Sequence, residues 1–142
     1  DETLSHNEDF AFAKKIVTAG YEILFAPKAV VTWFPRKNLG EFAHMIERFA
    51  RGDIEAGIIR PKVVFLFFRY LLLLLIVVLM LAFASWQETV SLLLTLFVLY
   101  SLWAIWKNGR YTPSGWYWLP ILQYVADYSV IKGSLHGIKL NN

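Results

Sequence analysis

The chain has 142 residues, of which 57% are hydrophobic and 17% are aromatic, and its formal net charge is +3. Residues 1–62 hold nine basic and nine acidic side chains, whereas residues 63–142 hold five basic and two acidic ones. The balanced charge of the first part argues against a nucleic-acid partner, and the absence of cysteine excludes a disulfide scaffold and a Cys-based zinc or redox site.

A helix is predicted from Glu8 to Ala19, because apolar side chains recur there at helical spacing. Asn7 is a suitable N-cap, and Gly20 is a natural residue just beyond a helix end. Asp9 is a candidate general base that would take a proton from an acceptor hydroxyl. Acids at a helix start also have a purely structural role, since they satisfy free N–H groups, and the residue pair alone favours that role.

Two short strands are predicted after this helix. Tyr21–Phe25 and Ala29–Phe34 are rich in β-branched and aromatic residues, and Ala26-Pro27-Lys28 between them is typical of a turn. Together with the flanking helices, they give residues 1–62 the pattern of an α/β segment.

The next helix is predicted over Leu39–Arg51, where Asn38 and Glu41 have the spacing of a capping box. Its apolar residues share one side and its charged residues share the other, so the helix is amphipathic. Gly52 is interpreted as the end of the helix.

The polar face of this helix carries Arg48 and Arg51, about one turn apart. In one interpretation they bind a diphosphate or an anionic lipid headgroup. In the other they belong to a solvated face with an ion pair between Glu47 and Arg51. The sequence leaves both interpretations open.

The most apolar segment is Val63–Ala84, whose 22 residues include one charge, that of Arg69. As a helix it would be roughly 33 Å long, enough to cross a bilayer core, with Arg69 near enough to one end to snorkel. A second span is predicted over Val90–Trp106, after a polar turn at Ser85–Thr89. Basic residues flank one end of this hairpin and Glu88 lies at the other, so the positive-inside rule places both chain ends in the cytoplasm.

The last segment, Tyr111–Asn142, combines interface-type aromatic residues with polar ones. We predict an interfacial or re-entrant helix over about residues 119–131, with Gln123 and Asp127 on one face, and a third span is the alternative. Residues 63–142 therefore form a membrane region, and residues 1–62 form a water-exposed region.

The order of these features resembles the C-terminal part of the catalytic domain of family 2 glycosyltransferases. The likeness lies in a Glu-Asp at a helix start, a strand–Pro–strand pair, and an amphipathic helix ending in Arg-X-X-Arg-Gly. The hairpin that follows resembles the membrane-bound, succinoglycan-biosynthesis-like members that build bacterial surface polysaccharides. The matching segment is Asn7–Asp53, NEDFAFAKKIVTAGYEILFAPKAVVTWFPRKNLGEFAHMIERFARGD.

The resemblance implies the C-terminal part of an α/β GT-A (Rossmann-like) domain, followed by transmembrane α-helices. It also implies inverting transfer of a sugar from a nucleotide-sugar donor, with Asp9 at the position of the catalytic base and Glu8 at that of its acidic neighbour. The Mg²⁺ or Mn²⁺ ion of such enzymes would be bound by residues upstream of Asp1. We therefore interpret the chain as a fragment of a longer protein, and expect it to be inactive alone.

Processive relatives carry a Gln-X-X-Arg-Trp motif after the base, whereas Glu47–Gly52 has no Trp, so the resemblance does not extend to processivity. The expected protein is a multi-pass glycosyltransferase of the cell membrane whose catalytic part is cytoplasmic. Its expected partners are a nucleotide-sugar, a lipid-linked or saccharide acceptor and membrane lipids. The alternative is a non-enzymatic membrane protein, such as a transporter subunit or a scaffold, with a small cytoplasmic α/β cap.

Overall fold

In a computed structural model, the chain is described over residues 8–32, 34–112 and 114–140. These residues divide into two compact units, one formed by residues 60–128 and the other by the described parts of Asp1–Ile59 and Ser129–Asn142. Short 3-10 helices occur at Gly109–Tyr111 and Trp116–Trp118. The α-helices are α1 (Glu8–Thr18), α2 (Leu39–Glu55), α3 (Pro61–Phe83), α4 (Trp86–Asn108) and α5 (Leu119–Leu140).

The predicted fold class, the C-terminal part of an α/β GT-A (Rossmann-like) domain, is wrong for the described residues, which form helices and no strand. Tyr21–Phe25 and Ala29–Phe34, predicted as strands, have neither helical nor sheet structure in their described residues, and Trp33 lies outside these. The turn between them is present, since the Ala29 N–H donates to the Ala26 carbonyl at 3.0 Å.

The absence of a sheet from this described segment has a physical reason. A residue of high β-propensity fits a pleated, half-buried surface, but neighbouring strands must supply the hydrogen bonds and the buried area. An isolated pair of strands is only marginally stable in water. Phe25, Val30 and Val31 are 90%, 87% and 84% exposed. The segment has the composition of a strand pair without the neighbours that would bury it.

α1 ends as its sequence predicts. The Tyr21 N–H donates to the Ile16 carbonyl at 3.2 Å, and the Gly20 N–H donates to the Val17 carbonyl at 3.0 Å. These two bonds form a Schellman motif, for which Gly20 adopts a φ of +86°. The predicted end of the helix is thus confirmed, whereas its predicted N-cap, Asn7, lies outside the described residues.

α2 is longer than predicted. The Asn38 side chain accepts a hydrogen bond from the Glu41 N–H at 2.8 Å, which confirms the predicted N-cap. Gly52 is buried inside the helix and does not end it. The helix continues to Glu55, and the chain leaves it at Gly57, whose φ is +65°. Glycine favours a helix end where a positive φ is needed, and here that position is Gly57.

The Asn38 cap gives a testable prediction. Asn38→Ala removes the acceptor of the Glu41 N–H, and we expect it to destabilise α2 by about 1 kcal/mol. Asn38→Ser keeps a capping oxygen without placing a second carboxylate beside Glu41, whose Oε1 lies 2.9 Å from the Asn38 amide nitrogen, and it should leave the helix nearly unchanged. Hydrogen–deuterium exchange in the first turn of α2 measures the effect, and about fivefold faster exchange is expected in Asn38→Ala. Equal exchange in the two variants would contradict the capping role.

α3 and α4 are each 23 residues long, and both are long and apolar enough to cross a membrane. Only Ala84 and Ser85 separate them, because most of the predicted polar turn belongs to α4. Ser85 and Glu88 form a capping box: the Glu88 N–H donates to the Ser85 hydroxyl at 3.3 Å, and the Ser85 N–H donates to the Glu88 carboxylate at 2.8 Å. The polar residues therefore begin a helix instead of forming a loop.

α5 is 22 residues long and extends beyond the segment predicted for it. Its C-terminal part lies against α2, where Gly133 and Gly137 allow a close approach of the two helices. A Cβ atom on Gly133 would overlap the backbone oxygen of Glu47, and one on Gly137 would lie 2.8 Å from the Cβ of Ile54. Small residues one turn apart are a known means of close helix packing. An ion pair between Lys132 and Glu47, at 2.9 Å, flanks this contact.

Candidate functional site

Four side chains from three helices meet around the carboxylate of Asp127. α3 supplies Arg69 and Tyr70, α4 supplies Tyr100, and α5 supplies Gln123 and Asp127. We name these five residues the Asp127 cluster, and all of them belong to the unit of residues 60–128. Ionisable side chains inside apolar, membrane-length helices are costly, and they commonly mark functional sites.

Asp127 accepts hydrogen bonds from the other four members of the cluster. Its Oδ2 lies 2.6 Å from Arg69 Nη2, 2.9 Å from the Tyr70 hydroxyl and 2.5 Å from the Tyr100 hydroxyl. Its Oδ1 accepts from the Gln123 amide at 2.9 Å, one turn earlier on α5. The side chain is only 6% exposed, so these four donors replace the water that the carboxylate has lost.

Arg69 is the cationic half of the cluster. Besides its ion pair with Asp127, its guanidinium carbon lies 4.6 Å from the centre of the Tyr100 ring and 5.0 Å from that of Tyr70. Its side chain is 34% exposed, in contrast to the buried Asp127. A guanidinium has five N–H donors, and the ion pair uses one of its nitrogens. About a third of the Arg69 side chain is accessible at the edge of the cluster.

Aromatic contacts hold the cluster tyrosines in place. Tyr100 stacks on Trp103 with 5.3 Å between ring centres, and it meets Tyr124 edge-on at 5.2 Å. Tyr124 in turn stacks on Phe97, and its hydroxyl donates to the Phe97 carbonyl at 3.2 Å. Each such ring pair contributes about 1 kcal/mol beyond its buried area. The Tyr100 hydroxyl thus reaches Asp127 from a ring whose position is fixed by its neighbours.

An apolar cavity of about 420 Å³ adjoins the cluster. Arg69 and Tyr100 line it beside the cluster, and its walls continue along α3 to Ile76 and along α4 to Leu93. Each wall covers eight residues, a rise of roughly 10 Å along the helix. A hydrocarbon-lined cavity with a few polar groups at one end is the usual form of a ligand site. The side chains between these limits include Leu72, Leu73, Leu96 and Phe97.

The hairpin is basic at the end where the chain enters α3 and leaves α4. Arg60 and Lys62 lie at the start of α3, and Lys107 and Arg110 lie at the end of α4 or just after it. The unit of residues 60–128 has five basic and two acidic side chains, and one of these acids, Glu88, lies in the first turn of α4, at the opposite end. The charge distribution therefore favours an anionic ligand beside Arg69 over a cationic one.

The predicted catalytic acids lie elsewhere, in the first turn of α1. Glu8 and Asp9 are both exposed. The Asp9 carboxylate accepts a hydrogen bond from the Phe10 N–H at 2.7 Å, which is the local structural role expected of an acid at a helix start. The catalytic role of Asp9 stays a prediction.

The predicted anion-binding arginines lie together on α2, Arg48 on its exposed face and Arg51 one turn later. Arg51 forms an ion pair with Glu55 at 2.6 Å. The alternative interpretation predicted that Arg51 would pair with Glu47. The Glu47 carboxylate is paired with Lys132 instead. Binding of a diphosphate by Arg48 and Arg51 stays a prediction, and it would require Arg51 to exchange its Glu55 partner.

The resemblance places the ligands of a Mg²⁺ or Mn²⁺ ion upstream of Asp1, so the part of the chain that the structure describes does not test that prediction. No three His, Cys, Asp or Glu side chains there are grouped so as to hold a metal ion. The buried carboxylate, Asp127, accepts from one cationic and three neutral donors, whereas a metal-binding carboxylate turns free lone pairs towards the ion.

Sequence reasoning missed the Asp127 cluster. It placed Arg69 at the membrane edge as a snorkelling residue, and it placed Gln123 and Asp127 on one face of an interfacial helix. The available signal was a lone arginine in one apolar segment and a lone aspartate in another, since opposite charges in such segments commonly pair. The two residues are 58 positions apart, and no local pattern specifies which helices come together over that separation.

Comparisons with known proteins do not assign the chain to a family. No protein-family model, curated protein or solved structure matches it. The function must therefore be argued from the motifs of the sequence and from the Asp127 cluster itself.

Proposed function

We propose that this chain belongs to a membrane-bound glycosyltransferase that moves a sugar from a nucleotide-sugar donor to a lipid-linked or saccharide acceptor. The supporting observation is the Asp127 cluster with its cavity, since α3 and α4, which supply Arg69, Tyr70 and Tyr100, are long and apolar enough to cross a membrane. A hydrocarbon-lined cavity with a cationic end suits a lipid-linked acceptor. The Glu-Asp pair at the start of α1 and the Arg-X-X-Arg-Gly motif of α2 support the reaction class, and the proposal does not depend on a GT-A sheet.

In this proposal the protein is a multi-pass protein of the cell membrane whose reacting side is cytoplasmic. The hairpin of α3 and α4 has basic residues where the chain enters and leaves it, and Glu88 near its tip. The positive-inside rule then orients the tip away from the cytoplasm. Arg69 follows the start of α3 by eight residues, or roughly 12 Å of helix, so the acceptor would bind near the inner leaflet. The product would enter surface polysaccharide or glycoconjugate synthesis.

The proposed reaction is an inverting displacement. Asp9 takes the proton of an acceptor hydroxyl, and that oxygen attacks the anomeric carbon of the donor sugar. The bond between this carbon and the diphosphate breaks, and the nucleoside diphosphate leaves with the electron pair. Glu8 is the acidic neighbour of the base, and Arg48 and Arg51 would bind the diphosphate or the headgroup of the acceptor.

Asp9→Asn tests the assignment of the base. The variant is made in the complete gene product that contains this chain, and transfer is measured in membrane vesicles with a panel of radiolabelled nucleotide-sugars. We expect transfer to fall about 100-fold or more, because an amide cannot accept the proton. Glu22→Gln, which neutralises another exposed acid of the same unit, is the control and should keep full activity. Unchanged transfer by Asp9→Asn would contradict the assignment.

A non-enzymatic helical membrane protein, such as a transporter subunit or a scaffold, is the second candidate. It is favoured by the all-helical structure of the described residues. The same vesicles distinguish the two functions. If the complete gene product transferred no sugar from any donor of the panel to membrane lipids or to added oligosaccharides, the enzymatic proposal would fail and the second candidate would stand.

A further inference from the structure

We propose that the segment between α1 and α2 docks on the cytoplasmic leaflet of the membrane and places its apolar side chains among anionic lipids. We name residues 19–38 the connecting segment, and the structure describes all of them except Trp33. The inference rests on the proposed function only in taking α3 and α4 to cross a bilayer. It requires no sugar transfer, so the two proposals can fail separately.

Apolar side chains dominate the exposed surface of the connecting segment. Seven large ones among its described residues are each between 61% and 90% exposed. The most exposed of them flank the turn at residues 26–29, and they are Leu24, Phe25, Val30 and Val31. A large contiguous apolar patch on a protein surface commonly marks a contact with a partner or with a membrane. The connecting segment is therefore a candidate docking surface.

The charge of the connecting segment favours an anionic surface over a second copy of the chain. Lys28, Arg36 and Lys37 are exposed, and with Glu22 as the one acid of the segment they give it a net charge of +2. In a two-fold symmetric contact the same surface of each copy faces the other, so these like charges would meet. A leaflet that contains anionic lipids attracts lysine and arginine side chains instead. The leaflet thus matches both the apolar and the basic residues of the segment.

The order of the helices assigns the connecting segment to the side of the membrane where α3 begins. A helix needs about 20 predominantly apolar residues to cross a bilayer, whereas α2, which lies between the segment and α3, has 17 residues, six of them charged. Arg60 and Lys62 stand at the start of α3, and the positive-inside rule places them in the cytoplasm. The leaflet on that side carries the negative surface potential of the membrane.

The backbone of the connecting segment limits how deeply it enters the leaflet. Its described residues form neither helix nor strand, and such backbone is not tolerated where it faces the hydrocarbon core. We therefore place the backbone at the level of the headgroups. Side chains such as Phe25 then reach the boundary between the headgroups and the acyl chains, as the apolar faces of interfacial helices do.

Spin labels measure the depth of the segment in the complete gene product, made without cysteines and reconstituted into nanodiscs with about one third phosphatidylglycerol. Labels are attached in the variants Leu24→Cys and Val31→Cys. Phe12→Cys is the control, because Phe12 is an apolar residue of α1 that is 64% exposed. Oxygen is enriched in the bilayer, whereas a charge-neutral nickel chelate stays in water. We expect the ratio of collisions with oxygen to collisions with the chelate to be about threefold or more higher at residues 24 and 31 than at residue 12.

Two further variants separate the contribution of charge from that of apolar area. The ratio of docked to free segment is read from the two components of the spectrum of the label at residue 31. Lys28→Gln should lower this ratio about fivefold with phosphatidylglycerol and leave it unchanged in pure phosphatidylcholine. Phe25→Ser should lower it about tenfold in both lipids. Lys14→Gln and Phe12→Ser, which make the same changes at exposed positions of α1, should not change it.

The contrary outcomes are distinct. Equal collision ratios at the three labelled positions would overturn docking. Protection of residues 24 and 31 from both oxygen and the chelate would show that protein covers the segment, and this would also overturn docking on lipid. Dipolar coupling between the labels of two copies would then identify a second copy as the cover, and its absence would identify another part of the gene product.

Equal docking in the two lipids would overturn the role of Lys28 and of an anionic leaflet. Docking without sugar transfer from any donor would overturn the proposed function alone, whereas sugar transfer without docking would overturn this inference alone.

Discussion

Replacing Asp127 with alanine is expected to destabilise the unit of residues 60–128 by about 3 kcal/mol. The variant leaves the Arg69 guanidinium without its counter-charge, and it leaves two tyrosine hydroxyls without their acceptor. Loss of one partner of a buried ion pair costs more than the pair contributes, because the remaining charge stays desolvated. Arg69 is 34% exposed, which places the expected loss at the lower end of the range for such pairs.

The measurement is unfolding of the purified protein in mixed detergent and SDS, followed by tryptophan fluorescence. Asp127→Asn is the matched comparison, since it keeps one acceptor oxygen while it loses the charge and turns the other oxygen into an amide donor, and it should cost roughly half as much. The double variant Arg69→Met with Asp127→Leu should recover most of the lost stability, because no charge is left unpaired. Additive losses in the double variant would show that the two residues do not act as a pair.

The parts of the fold that the sequence predicts are those with local causes. The end of α1 follows from Gly20, the start of α2 follows from Asn38, and the length of α3 follows from an apolar run in which Arg69 is the one charged residue after Lys62. In each case a few neighbouring residues determine the backbone hydrogen bonds. Gly52 shows the limit of such signals, since the same residue type ends a helix at one position and lies inside a helix at another.

The parts that the sequence does not predict depend on distant partners. Tyr21–Phe25 has the composition of a strand, but a strand forms only where a second one pairs with it, and the described residues supply none. The sequence does not predict the Asp127 cluster either, and here the reason is the opposite one. Its partners are present, but they come from α3, α4 and α5, and only the packing of these helices brings them together. The sequence shows that Arg69 and Asp127 are charged residues in mostly apolar segments, where an unpaired charge has a high free-energy cost. The structure shows that the two residues pair with each other.

The contact between α2 and α5 should be abolished by a single larger residue at Gly133. Gly133→Leu is expected to destabilise the unit that contains α2 by about 4 kcal/mol. Even a methyl group there would overlap the backbone oxygen of Glu47 and lie 3.1 Å from the Cβ of Ala50. Backbone atoms cannot move aside by a change of rotamer, so the two helices must separate. Gly133→Ala should cost about 2 kcal/mol, since the better helix propensity of alanine offsets part of the overlap.

Gly109→Ala is the control for this prediction, because a methyl group there would meet its nearest neighbour, Ile105, at an ordinary 4.0 Å. Thermal unfolding and hydrogen–deuterium exchange across residues 46–55 of α2 measure the effect. Exchange there should accelerate in the order Gly109→Ala, Gly133→Ala, Gly133→Leu, with no change in the first. The ion pair between Lys132 and Glu47 cannot replace the close packing of α2 and α5 at Gly133. A pair with a half-exposed lysine contributes less than about 1 kcal/mol. Wild-type exchange in Gly133→Leu would show that α5 does not lie against α2 as described.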